Sequence, residues 1–479
     1  MNAGPLVPSG AVGLDNILRG GLTGPHLYLL QGGPGTGKTT LALQFLLAGA
    51  ARGEAALYVS LSQSALELKA IALSHGWALD GIAIEELDSA AEPSDRDDQT
   101  IFVHADIRLD KTRAAIEATI ERIRPQRLVY DSLLEIRKLT TDTERLHREM
   151  LGFKALLERR GIAAFMIDVT PEEGGDNDFA SIAHGIIRLE RWMPEYGPAR
   201  RRVDIRKMRG ANFHSGYHDM AIRSGQGVVV FPREVPTTTV ERAAGALIKS
   251  GIDDLDAMLG GGMEGGTTTL VIGQSGTGKS TMASLYAEAA LKRGESVSLF
   301  LFEEREETFF RRSDGLGIKL REFRKDGRLA LFDFDPAEIS PGEFSQMVRD
   351  SATANSARVV VIDSFTGYIN SLPRSEQAVL QMQALLKYLS RRGVLTILIV
   401  AQHGLLGHDM QSDVDLSFLG DTVLFLRMFE SPAAIRRTIA VIKKRHGAHD
   451  LDVRELIIES GHIRILPGPV PRSGAPPGP

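Results

Sequence analysis

A chain of 479 residues is about twice the size at which a single hydrophobic core stops growing, so two domains are the default expectation. Its 43% hydrophobic and 24% charged residues exclude global disorder, and a net charge of −5 argues against a strongly basic nucleic-acid surface. The absence of cysteine removes disulfides, cysteine-type zinc sites and thiol catalysis; with no leader-like start and no apolar run of bilayer length, the expectation is a soluble, cytoplasmic protein without membrane partners.

The chain opens on Val12-Gly13-Leu14-Asp15-Asn16-Ile17-Leu18 followed by Gly20-Gly21. An apolar run from His26 to Gln31 then predicts a strand that feeds Gly32-Gly33-Pro34-Gly35-Thr36-Gly37-Lys38-Thr39, a complete Gly-x4-Gly-Lys-Thr/Ser pattern. Glycines at these places let backbone N–H groups wrap a triphosphate, with some residues at positive φ. Lys38 reaches the outer phosphates and Thr39 is placed to ligate Mg²⁺. The helix beginning there, with Thr40 in its first turn, turns its positive end toward the anion. Further strands are expected at Ala55 to Leu61, Thr100 to Ala105, Leu128 to Asp131 and Ala163 to Val169, with helices at Ala65 to Leu73, Lys111 to Ile123 and Thr143 to Arg160. A closing antiparallel strand, Arg201 to Met208, ends in Lys207-Met208-Arg209.

Between about Pro232 and Leu247 the chain turns to Pro, Thr, Ala and Gly, the composition of a linker. Beyond it the pattern repeats. Ser250-Gly251-Ile252-Asp253-Asp254-Leu255 and Gly260-Gly261-Gly262 precede a strand from Thr268 to Ile272. A second full phosphate loop follows: Gly273-Gln274-Ser275-Gly276-Thr277-Gly278-Lys279-Ser280, with Thr281 opening the helix. Strands are expected at Ser296 to Phe302, Leu329 to Phe334, Val359 to Asp363 and Leu395 to Ala401, with a closing strand from Arg437 to Lys444. The alternation predicts an α/β fold in each half, a mainly parallel sheet flanked by helices. The domains expected are 1–235 and 236–466, with a disordered Pro/Gly-rich tail at 467–479.

Chemistry is carried at matched points of the two halves. Asp131 and Asp363 end apolar runs and are followed by serine, where a carboxylate completes a Mg²⁺ shell with Thr39 or Ser280. Glu303 and Glu304 follow the strand after the second loop helix, at the carboxyl rim of a parallel sheet, so one can act as base toward a nucleophile at the γ-phosphate. The first half has Ser60-Leu61-Ser62-Gln63-Ser64 there, without a carboxylate, and is expected to bind ATP and hydrolyse it slowly. Lys207 with Arg209, and Lys443 with Arg445, sit at strand ends with alternate side chains on one face, as phosphate-contacting fingers reaching a neighbour's nucleotide would.

With both loops, the Glu303-Glu304 pair, the two Asp-Ser runs and the Lys-x-Arg strand ends, the chain resembles the double-domain KaiC family of RecA-like P-loop ATPases over roughly Ser9 to Leu466. That resemblance implies two tandem RecA-like domains, a homo-hexamer with ATP between subunits, ATPase activity, serine/threonine autokinase activity in the second domain, and signalling or clock-type protein partners. Carried onto this sequence, Glu303 and Glu304 match the family's catalytic pair, with Glu303 the better base, and Lys279, Lys443 and Arg445 complete the catalytic set. Ser417 matches an acceptor serine, whereas Phe418 stands where the family places a threonine, so an ordered two-site phosphorylation cycle is not expected. The first domain lacks the glutamate pair, and the tail bears little likeness to the family's regulatory segment. A RecA-like DNA motor is disfavoured by the acidic Thr170-Pro171-Glu172-Glu173-Gly174-Gly175-Asp176 stretch and by the lack of Lys or Arg from Gly404 to Asp415. A nucleotide-gated scaffold without kinase activity is the remaining alternative.

Overall fold

In the computed structural model, the apolar runs and helical patterns fold into two compact units, Met1–Arg233 and Glu234–Pro479. The structure describes residues 5–87, 101–139, 142–169, 178–233, 245–370, 375–402, 416–431 and 434–467. The interdomain stretch 234–244, the acidic stretch 170–176, the loop 404–415 and the tail from 468 lie outside the described residues.

Each unit is built on a nine-stranded sheet flanked by helices. In the first, the spatial order is Gly227–Phe231, His218–Arg223, Arg200–Met208, Gly185–Trp192, Leu27–Gly32, Ala163–Asp168, Arg127–Asp131, Ala56–Ser60 and Ile82–Glu86. The strands from Gly185–Trp192 to Ile82–Glu86 are parallel, and the other three close the sheet antiparallel. The second unit repeats the order: Leu329–Asp333, Val297–Leu301, Val359–Asp363, Leu395–Ala401, Thr268–Gly273, Thr422–Ser431, Ala434–Lys444, Arg454–Glu459 and His462–Ile465, the last three again antiparallel. These are two tandem RecA-like α/β units.

The central strands are apolar because helices cover both faces. Leu27–Gly32 is buried throughout: Tyr28 and Leu30 join one core with Leu41 and Phe45 of the following helix, while Leu27 and Leu29 join another with Leu57 and Leu128. Helix Thr143–Arg160 starts where Asp142 accepts from the Arg145 N–H and stops at Gly161, φ 66°.

One expected strand is corrected. The strand expected at Thr100 to Ala105 is not formed by its described residues: residues 101–123 form one helix, and the edge position belongs to Ile82–Glu86. An edge strand has one neighbour and a solvated side, so it tolerates the acidic pair Glu85-Glu86, while the β-branched Ile101 and Val103 in a short apolar run imitate strand composition.

Parallel strands bring their carboxyl ends to one rim. In the first unit this rim gathers Gly32, Ser60, Asp131 and Asp168, and in the second Gly273, Leu301, Asp363 and Ala401. Ligand sites of open α/β sheets form at such a rim.

Candidate active site

Both phosphate loops adopt the same closed geometry. Gly37 and Gly278 cap the following helices at φ 103° and 102°, and a Cβ there would come within 2.8 Å of Ile222 Cδ1 or 2.4 Å of Ile458 Cδ1, so the glycines answer both backbone and space. Thr36 and Thr277 each brace the loop by donating to a backbone carbonyl, of Gly33 and Gln274, at 2.8 Å. Lys38 Nζ donates to the carbonyls of Gly32 (2.6 Å) and Gly33 (2.8 Å), and Lys279 Nζ to that of Gln274 (2.7 Å). Burial pushes both ammonium groups below the ordinary lysine value. Asp131 and Asp168 counter this at Lys38, and Asp363 and Glu303 do so at Lys279. Gly35, Gly276 and Ser275 form the exposed turns of the loops, while Thr40 and Thr281 are buried in the first turns of the helices.

The expected metal partners come together in the second unit, where the Ser280 hydroxyl lies beside the Asp363 carboxyl and pulls its pKa down. In the first unit a tyrosine intervenes: Tyr58 donates to Asp131 Oδ2 at 2.6 Å and lies beside Thr39. One hydroxyl and one carboxylate fit a Mg²⁺ that takes its remaining ligands from phosphates and water. Among the described residues no cluster of three or more His, Cys, Asp or Glu side chains could hold a metal alone. Burial raises Asp131, with the Tyr58 hydroxyl and Lys38 pulling it back. Asp363 is pushed up to about 6, by burial first and by the charge of Glu303 second, against Ser280, Arg312 and Lys279. Both Asp131–Ser132 and Asp363–Ser364 peptide bonds are cis.

Glu303 and Glu304 sit in the bend between strand Val297–Leu301 and helix Glu306–Gly315, and their environments differ. Glu303 is exposed and accepts from the Ser364 hydroxyl next to Asp363. Glu304 is held by Arg312, whose Nη2 donates to Oε2 at 2.8 Å and whose Nε lies 3.2 Å from both carboxylate oxygens. Glu303 is therefore the carboxylate open to the crevice, and Glu304 is the anchored one. In the first unit the same bend closes on itself, with Ser60 Oγ donating to the Gln63 carbonyl at 2.6 Å and Ser64 capping the next helix.

The Lys-x-Arg ends lie away from their own loops. Lys207 pairs across the sheet with Ile186, three residues before Leu189, the partner of Gly32; Lys443 pairs with Val423, three before Leu426, the partner of Gly273. Three strand residues are about 10 Å, in the direction of the opposite rim. There Lys207 Nζ donates to the Ala180 carbonyl (2.6 Å), Arg209 donates to the Ser181 carbonyl (2.5 Å), Lys443 Nζ donates to the carbonyls of Ser417 (3.1 Å) and Gly420 (2.8 Å), and Arg445 pairs with Asp421 (3.2 Å). Ser417 is exposed in a short 3-10 turn, before a strand whose first residue, Thr422, pairs with Thr269 at the start of the loop strand. Ser417 and Lys279 of one chain thus occupy opposite rims of one sheet.

Four features escaped sequence reasoning. Tyr58 is one. Arg201 and Arg437 are another: their Nε atoms donate to the carbonyls of Gly35 (3.2 Å) and Gly276 (3.0 Å), so each closing strand begins at its own loop. The arginine runs Arg200-Arg201-Arg202 and Arg436-Arg437 at matched spacing were the available signal. The third is the Ser364 contact to Glu303. The fourth is Asp168, with no exposed side-chain surface, gripped by Arg137 through two bonds of 3.0 and 3.1 Å.

The chain belongs to a family of known ATPases. The family model described as "ATPase: KaiC" matches residues 7–235 and again 248–470. The circadian clock protein KaiC3 of Synechocystis sp. is 26% identical over 469 residues, covering 95% of this chain and 91% of that protein. The circadian clock oscillator protein KaiC of Picosynechococcus sp. is 27% identical over 470 residues (95% and 88%), and that of Prochlorococcus marinus is 27% identical over 465 residues (94% and 90%). No helix among the described residues is long and apolar enough to cross a membrane.

Proposed function

The chain belongs to the KaiC family of ATPases, and on that premise we propose that it is an ATP-assembled homo-hexameric signalling ATPase with divided labour. The first unit holds ATP as a structural ligand, and the second hydrolyses ATP and transfers phosphate to Ser417. The observation that carries this reading is the position of Glu303: bonded to Ser364 and facing Lys279 and Asp363, where the first unit has Ser62 and Gln63.

In the second unit Lys279 binds the outer phosphates and the loop N–H groups cradle the rest. Ser280 and Asp363 would hold Mg²⁺, which supplies neutralisation of phosphate charge when bound. Glu303 takes the proton of the attacking hydroxyl, a water in hydrolysis or Ser417 in transfer. Ser364 orients Glu303, and Arg312 keeps Glu304 out of competition for that proton. Because Ser417 and Lys279 lie on opposite rims, the serine served is a neighbour's, and Lys443 and Arg445 arrive with it. Lys207 and Arg209 play the corresponding part at the first-unit sites. A signalling protein partner reading the assembly fits this design, as does a cytoplasmic location.

The test is a pair of loop variants. Lys279→Ala should remove most phosphate release and, by mass spectrometry after incubation with ATP and Mg²⁺, any phosphate on Ser417, while ATP-driven assembly persists. Lys38→Ala should give monomers by light scattering. Normal rings with Lys38→Ala, or unchanged hydrolysis with Lys279→Ala, would reverse the assignment. Hydrolysis that tracks Lys279 without phosphate on Ser417 would leave the ATPase and remove the kinase.

A further inference from the structure

The two units keep the same loop and the same Asp–Ser bond, yet the side chains packed behind them differ at matched places. Asp168 is the strand partner of Gln31, the residue before the first loop glycine; the second unit has Val400 opposite Ile272. Arg137, on the short helix after Asp131–Ser132, corresponds to Ile369 on the helix after Asp363–Ser364. A wholly buried Asp168 paired with a partly exposed Arg137 in one unit thus corresponds to a buried Ile and Val in the other, at 5% and 4% exposure.

Taking the Asp168 carboxylate wholly out of water is costly, and apolar residues of similar volume hold such positions at least as well. The second unit is the direct demonstration that this fold does so. The ion pair is therefore not required for packing, and its surroundings indicate what it does. On one side Asp168 borders the loop, adding to the negative field around Lys38, whose ammonium rests on Gly32 and Gly33. On the other, the Arg137 guanidinium lies 5.0 Å from the centre of the Phe179 ring in helix Asp178–Ile182. The next residues of that helix, Ala180 and Ser181, provide the carbonyls gripped by Lys207 and Arg209.

We propose that the Arg137–Asp168 pair is a nucleotide-responsive relay, carrying the occupancy of the Lys38 site to helix Asp178–Ile182 and so to the Lys207–Arg209 finger. A triphosphate engages Lys38 and places new negative charge before Asp168. The carboxylate loses part of its share of the lysine and leans harder on Arg137, and the guanidinium draws Phe179 with it. A coupled element must respond differently to the occupied and empty states, and a charge pair at the phosphate rim does where Ile369 and Val400 cannot. The relay needs ATP at the Lys38 site but no ring.

The test uses the full chain in a Lys279→Ala background, so that only the Lys38 site takes ATP. The readout is hydrogen exchange of the amides from Ile182 to His184; the Ala183 N–H bonds the Phe179 carbonyl at 3.1 Å and reports on that helix directly. With Arg137 and Asp168 intact, ATP should slow this exchange about tenfold. In Arg137→Ile/Asp168→Val, which carries the second unit's own residues, ATP should still bind, by a fluorescent analogue, but leave the exchange unchanged. Phe179→Leu, which keeps the pair and removes the ring under the guanidinium, should uncouple in the same way if the double variant folds poorly. Slowing that survives in the variants, or its absence in the parent while ATP is bound, overturns the relay. Light scattering on the same samples reads assembly independently, so failure of the ring is not mistaken for failure of the relay.

Discussion

Glu303→Gln separates chemistry from binding at the second site. The amide keeps the size of the carboxylate and can still accept from Ser364, so the bend should stay folded. What is lost is the proposed proton acceptor, worth about 10²–10⁴ in rate, or roughly 3–5 kcal/mol of barrier. Charge moves the other way for binding. Glu303 helps raise Asp363, so its neutralisation makes Asp363 easier to ionise and favours metal binding. Phosphate release at saturating ATP should therefore collapse in kcat without a rise in KM. Glu304→Gln, which breaks a partly buried ion pair with Arg312 worth about 1 kcal/mol, should cost no more than about tenfold. A Glu303→Gln enzyme within about twofold of the parent refutes the base and moves hydrolysis to the first unit. So does a change confined to KM.

Asp363, pushed up to about 6, should make magnesium-dependent ATP binding at the second site weaken about tenfold per pH unit below that value, and Asp363→Asn should abolish the dependence; magnesium titrations on either side of the pKa check this. For the metal-free protein the sign is opposite. A carboxyl raised above its unfolded value contributes stability that is present at acid pH and lost as pH climbs from about 4 through about 6, which melting curves of the parent and Asp363→Asn will show. Tyr58→Phe takes a donor from buried Asp131, raising its pKa further, so the first site should need several-fold more Mg²⁺ to retain ATP while steady-state hydrolysis stays put. Arg137→Ile alone leaves Asp168 buried without its cation and should cost the first unit about 3–5 kcal/mol in urea unfolding, whereas adding Asp168→Val should return most of it. An additive pair of costs would mean that the ion pair is no unit.

The parts of the site readable in the sequence are contiguous ones. Each loop is a single stretch whose glycines, lysine and hydroxyl are set by backbone geometry, and Glu303-Glu304 and Asp363-Ser364 sit at ends of apolar runs that parallel sheets bring to one rim. What stayed hidden depends on contacts between elements distant along the chain: Tyr58 reaches Asp131 across 73 residues, and Arg137 reaches Asp168 across 31. Composition misled where a solvated edge strand looked polar, at Ile82–Glu86, and a helix start looked β-branched, at Ile101 to Val103. The closing hairpins were half visible. Arg201 and Arg437 lie in the first halves of strands whose ends were noticed for Lys207 and Lys443, and only the observed pairing shows that the two ends lie toward opposite rims.

That separation of rims has a consequence for mixtures. If a finger completes the neighbouring protomer's site, neither Lys279→Ala nor Lys443→Ala/Arg445→Ala protein can work alone, yet blended they should recover activity, because every junction with an intact loop on one side and an intact finger on the other is whole. Random equal mixing makes about a quarter of junctions whole. The protomer carrying the first defect would donate the finger and the other would burn the ATP, so one dead population would revive the other.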